Sequence, residues 1–144
     1  MPATASSVRN NPMSAGNEQK MNDAVDAGFF ERLAEFNDKF ATALPQTLGR
    51  VSGVRNAFDT NQPQPELIQE LHAVLHTLAG SSATFGFRIL GQQARNIEQR
   101  LRVLMTFDAV APGEWDAWLA ELDVFVAWAM RDPKAAYPDE ESAA

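Results

Sequence analysis

Residues 65–104 read PELIQELHAVLHTLAGSSATFGFRILGQQARNIEQRLRVL, and the spacing of their apolar side chains decides the fold. Leu67, Leu71, Val74, Leu75 and Leu78 recur at intervals of three and four, with Phe85 closing the set, which makes one face of an α-helix. Pro65 is the residue type favoured at the first helical position, and Gly86 is a natural stop. Leu90, Ala94, Ile97, Leu101 and Leu104 form a second helical stripe that begins almost at once. Two amphipathic helices joined by a short turn are therefore expected.

Outward from this pair the same period continues. Phe29, Leu33, Phe36, Phe40, Leu44, Leu48, Val51, Val54 and Phe58 share one face of a long first helix, opening near Asp26 or Ala27 with Asp26 as N-cap. Pro45 is expected to kink this helix, and Gly49 and Gly53 to loosen its second half. The turn-rich segment DTNQPQP, residues 59–65, ends it. After FDAVAPG, residues 107–113, a fourth helix runs from about Glu114 to Arg131 and buries Trp115, Trp118, Leu119, Leu122, Phe125, Val126 and Ala129. No segment of comparable length alternates with period two. The fold class is therefore all-α, an antiparallel, up-and-down four-helix bundle. Residues 1–20, rich in Ser, Asn, Pro and Ala, and residues 133–144, with prolines and a cluster of acids, are expected to be flexible tails around a bundle of residues 21–132. Met1 and these polar ends favour a free-standing protein.

Composition narrows the chemistry. A chain of 144 residues holds one domain of ordinary size, and 45% hydrophobic residues suffice for a core. With no cysteine, a disulfide scaffold, a Cys-ligated zinc site, an iron–sulfur cluster and a thiol nucleophile are all excluded. Twelve basic against 19 acidic residues leave a net charge of −7, which argues against a nucleic-acid partner. No apolar run approaches the ~18–20 residues needed to span a bilayer, and the first twenty residues lack a signal-peptide core. A cytoplasmic protein without a membrane partner is expected.

Both histidines, His72 and His76, lie on the second helix. At ~100° per residue its apolar set spans roughly 120°; His76 stands about 140° from Leu71, outside that wedge, and His72 about 100° away, at its margin. Around His76 the residues Ala73, Ala79, Gly80 and Ala83 are small and are expected on the outer surface. A helix-interior glycine costs about 1 kcal/mol relative to alanine. Close approach of a partner surface to His76 would explain Gly80. The bland alternative is a solvated histidine. Spacing at i and i+4 also suits zinc, but no further His or Cys completes a site, so no metal is expected. GxSxG, GxxxxGK[ST] and GxGxxG are all absent, which removes the common serine-hydrolase and nucleotide-binding readings.

In the run LHTLAGSSATFGFRIL, residues 75–90, the residues His76, Leu78, Gly80, Ser82 and Gly86 stand in the register H-x-[LI]-K-G-x-[SA]-x-x-x-G. This resembles the signature of histidine-containing phosphotransfer (HPt) domains. Thr84, Phe85, Gly86 and Phe87 reproduce the T-F-G-F segment of the histidine-bearing N-terminal domain of CheA-type chemotaxis kinases, and FNDKFATALPQTL, residues 36–48, is similar to their opening helix. The resemblance implies a four-helix bundle that presents His76 as the phosphorylated histidine, with Leu78, Ser82, Phe85 and Gly86 as structural parts of the motif. It implies a phosphoryl carrier without kinase activity of its own, exchanging with a sensor or hybrid histidine kinase and with the aspartate of a response-regulator receiver domain. Free imidazole is largely neutral at pH 7 and can attack phosphorus, and phosphoryl transfer asks mainly for positioning and charge stabilisation. Mg²⁺ is expected on the partner receiver rather than on this chain, and a monomer is expected because such domains are commonly monomeric.

By the same resemblance Glu98 is the orienting base, a carboxylate that fixes the imidazole tautomer. The other reading of Glu98 is an exposed helix glutamate paired with Arg102 at i+4. Ala79 departs from the pattern, because the family commonly places lysine there to hold phosphoryl oxygens. Arg88 and Arg95 are the candidate substitutes, and Ala73, Ala79, Gly80 and Ala83 are the expected partner-binding surface. If no cation substitutes, the alternative is a non-catalytic receiver- or kinase-binding module that has lost efficient phosphotransfer.

Overall fold

The computed structural model describes residues 12–138, with side chains from Asp26 onward. It contains four helices: α1 (Pro12–Ala57), α2 (Pro65–Thr84), α3 (Arg88–Met105) and α4 (Pro112–Arg131). No strand occurs among the described residues, so the fold is the all-α bundle that the period predicts. Short connections between successive helices make neighbours antiparallel. Prolines stand in the first turns of α2 and α4, where their missing N–H has no helical partner to lose.

The chain divides into two compact units, Met1–Asp38 and Lys39–Ala144. In the first, α1 begins at Pro12 rather than near Asp26, because MSAGNEQKM contains mostly good helix formers and no second proline. Residues 12–20, assigned above to a tail, are therefore helical, while residues 1–11 and 139–144 lie outside the described residues. Phe29 and Phe36 are about half exposed, although their spacing puts them on the expected buried face. Periodicity identifies an apolar face but not what covers it. Phe29 meets Phe30 edge to face at 5.6 Å between ring centroids.

The second unit holds the core. From α1 it takes Leu44, Leu48, Val51 and Val54, with Phe58 just past its end; from α2, Leu71, Val74, Leu75 and Leu78; from α3, Leu90, Ala94, Ile97 and Leu101. From α4 it takes Trp115, Trp118, Leu119, Leu122, Phe125, Trp128 and Ala129. Each fully buried leucine stabilises the fold by roughly 1.5–3 kcal/mol relative to exposure. α1 continues as helix through Pro45. Arg55 on α1 donates two hydrogen bonds to Asp123 on α4, at 2.9 and 3.0 Å, and this partner raises the Arg55 pKa above its ordinary value. Trp118 Nε1 donates to the Ile97 carbonyl at 3.1 Å, tying α4 to α3.

The C-terminal segment is not wholly a solvated tail. Tyr137 is buried, with its ring edge-on to Trp128 at 5.0 Å, and Trp128 Nε1 donates to the Ala135 carbonyl at 3.2 Å. Lys134 Nζ lies 4.7 Å from the centre of the Phe87 ring. The buried Tyr137 ring, the Trp128–Ala135 hydrogen bond and the Lys134 contact together hold residues 133–138 against the bundle.

Candidate functional site

The site begins with the way α2 ends. Gly86 adopts φ 87°, a left-handed conformation open to glycine, and the chain turns there. Phe87 N–H donates to the Ser82 carbonyl at 2.8 Å and Gly86 N–H to the Ala83 carbonyl at 3.4 Å, the paired bonds of a Schellman stop. Ser82 is fully buried, and its hydroxyl donates to the Leu78 carbonyl at 2.6 Å. Phe85 and Phe87 pack on Phe40 with ring centroids 5.6 and 5.2 Å away. Leu78, Ser82, Phe85 and Gly86 thus build the turn that sends α3 back along α2.

How closely the two helices meet is set by Gly91, which the sequence reading did not single out. A Cβ there would lie 3.2 Å from both the Ala79 carbonyl oxygen and the Ala83 nitrogen, and 3.3 Å from Ser82 Cβ. Gly80, where the approach of a partner surface was expected, has open space around it within the chain. Ala79 is buried rather than on the expected outer surface, because it stands four residues after Leu75 and faces α3. Ala73, Gly80 and Ala83 are exposed as expected.

Seven residues beyond Gly91, two helical turns on, Glu98 enters the same stripe as Leu90, Ala94, Ile97 and Leu101 and is buried, with 5% of its side chain exposed. Seven residues before Ala79 and Ala83 stand His72 and His76. Glu98 Oε2 lies 2.8 Å from His72 Nε2 and 3.7 Å from His76 Nδ1. Arg102 Nε is 3.9 Å from the same oxygen. The i+4 pair with Arg102 therefore exists, but the glutamate in it is not exposed. His76 has 71% of its side chain exposed and His72 27%, in the order the helical angles predict. The two rings are near-parallel, with 6.0 Å between centroids. His72 Nε2 and Glu98 Oε2 face one another without the alignment of a hydrogen bond, so their contact is electrostatic.

Arg88 and Arg95 are exposed on α3 and make no ion pair with Glu98 among the described residues. A cation that the structure does bring to the cluster is Arg102. Beside His76, a groove of about 350 Å³ between α1 and α2 is lined by residues including Arg50, Ala73, Thr77 and Ser81. No helix among the described residues is long and apolar enough to cross a membrane. The contact between His72 and Glu98 and the burial of Glu98 were missed, although a signal existed for the burial: Glu98 follows Ala94 by four and precedes Leu101 by three, in the middle of an apolar stripe.

No curated protein and no solved structure matches the chain. The family model of the Hpt domain matches residues 27–127, which include all of α2 and α3 with both histidines and Glu98. That match covers well over half of the sequence, and the chain belongs to the Hpt domain family.

Proposed function

We propose that this chain carries a phosphoryl group on His76 and exchanges it with the aspartate of a response-regulator receiver domain. Hpt domains serve histidine phosphotransfer in phosphorelays, with histidine kinases and receiver domains as partners. The observation that carries the assignment to His76 is its exposure together with the placement of Nδ1 3.7 Å from the buried Glu98 carboxylate. A carboxylate on that side favours the proton on Nδ1 and leaves the lone pair on Nε2. In transfer from a phospho-aspartate, Nε2 attacks phosphorus as the acyl P–O bond breaks. The bonding pair returns to the aspartate carboxylate. A phosphoimidazolium with its proton on Nδ1 results, and its positive charge faces Glu98.

The receiver is expected to supply Mg²⁺, and Arg88, Arg95 and Arg102 are the candidate cations on α3, whose fourth arginine, Arg100, is paired with Glu121. Ala73, Gly80 and Ala83 leave the outer side of α2 low enough for a receiver surface to come near His76. This exchange belongs in the cytoplasm, between monomers of this chain and its partners. A second reading is favoured by Ala79, which is buried and has no charge where the family commonly has lysine: a module that docks on a receiver or kinase without efficient transfer.

The separating experiment incubates the chain with phosphorylated receiver domains of its host. Transfer predicts a label that is acid-labile and base-stable, lost in His76→Gln and kept in His72→Gln. Binding without label from any donor supports the docking module instead.

A further inference from the structure

We infer that His72 is a positioning residue for the transfer: it holds the Glu98 carboxylate where that group faces Nδ1 of His76. This role matters to transfer only if His76 carries the phosphoryl group, as proposed above. The reason lies in the partners of one oxygen. A carboxylate with 5% of its side chain exposed has lost most of its water and needs a protein partner. Of the three nitrogens near Oε2, His72 Nε2 is nearest by 0.9 Å, the difference between 2.8 and 3.7 Å. The other two belong to side chains with 71% and 63% exposure, His76 and Arg102, which water screens. His72 is the least exposed of the three and the one best fixed against α3.

His72 also sits one turn before His76 on α2, and its ring lies near-parallel to the His76 ring with 21° between planes. One imidazole therefore borders both the carboxylate and the ring that the carboxylate orients. The His72 Nε2 and Glu98 Oε2 atoms are buried and lack an aligned hydrogen bond. Rotation about the soft terminal torsion of a histidine would aim an Nε2–H at the oxygen without moving either helix. With that donor in place, the second lone-pair direction of the same oxygen is left to His76 Nδ1–H. Without it, the carboxylate turns toward Arg102 and solvent, away from His76 Nδ1, and the His76 tautomer is no longer held.

The test uses the full chain with three substitutions at one position. His72→Gln keeps an N–H donor close to the place of Nε2; His72→Leu fills the volume without a donor; His72→Asn carries a donor too short to reach Glu98. The ring tautomer of His76 is read from two-bond ¹H–¹⁵N spectra, and the rate of labelling is read with phosphoramidate as donor. Wild type and His72→Gln are expected to hold the His76 proton on Nδ1. His72→Leu and His72→Asn are expected to shift it toward Nε2 and to label about tenfold more slowly, the scale of one hydrogen bond to a charged group. If Leu fails to fold, the Asn and Gln comparison carries the decision. An unchanged His76 tautomer in Leu and Asn variants overturns the role, and a slower rate with that tautomer unchanged overturns it too, as a merely structural loss. Whether His76 is the carrier is read separately, from the label in His76→Gln, and the tautomer decides on His72 in either case.

Discussion

Gly91 on α3 stands against the backbone of Ala79 on α2, so closely that a Cβ at position 91 would lie 3.2 Å from the Ala79 carbonyl oxygen. The same register, two turns along, sets Glu98 opposite His72 and His76. The distance between the helices at the glycine therefore governs the distance between carboxylate and imidazoles.

Gly91→Ala should force α3 outward, since the opposing atoms include backbone that cannot step aside. A loss of about 1–3 kcal/mol in denaturant unfolding is expected, as for other overpacked contacts. Phosphoryl uptake should slow as well. An unchanged unfolding midpoint would show that the helices separate there without cost.

Gly80→Ala should do the opposite. Nothing lies within 4 Å of the position a Cβ would take, and the site is inside α2. Stability should rise by about 0.5–1 kcal/mol, from helix propensity alone. Exchange with a receiver should slow if its surface meets α2 at this point, which stopped-flow transfer would measure while phosphoramidate labelling stays constant.

Gly86→Ala should destabilise by about 1–2 kcal/mol, because φ 87° strains any residue with a Cβ. Gly86→Asn should lose less, since asparagine tolerates this region better. Thermal unfolding of the two variants checks the order. Equal melting temperatures in all three proteins would contradict the turn geometry.

Much of this architecture was legible in the sequence. Periods of three and four identified the helices, Pro65 marked the start of α2, and Gly86 marked its stop. What escaped was information carried between helices. Ala79 was assigned to the surface as a neighbour of His76, yet its place four residues after Leu75 brings it to the α3 contact. Glu98 was assigned as orienting base from the resemblance alone, when its place in an apolar stripe also indicated its burial. Tyr137 and Trp128 find each other across an irregular segment, which helical periodicity does not address.

Ala79→Lys restores the family's usual cation at a buried position. The lysine stem must run along the surface to bring its ammonium into water, as long basic side chains do. A loss of about 1–3 kcal/mol is expected from the added volume, together with a longer lifetime of the phosphorylated form. Lifetime is measured by the decay of the label. A lifetime equal to wild type would indicate that arginines on α3 already supply the charge.

The most direct measurement locates the phosphoryl group itself. The chain is charged with phosphoramidate, and the phosphorus is assigned by ³¹P and ¹H–¹⁵N spectra in wild type and in His76→Gln. The expected result is one phosphohistidine, on Nε2 of His76, with no signal in the His76→Gln protein. A phosphoryl group on His72, or a signal that survives His76→Gln, would contradict the assignment of His76 as the carrier.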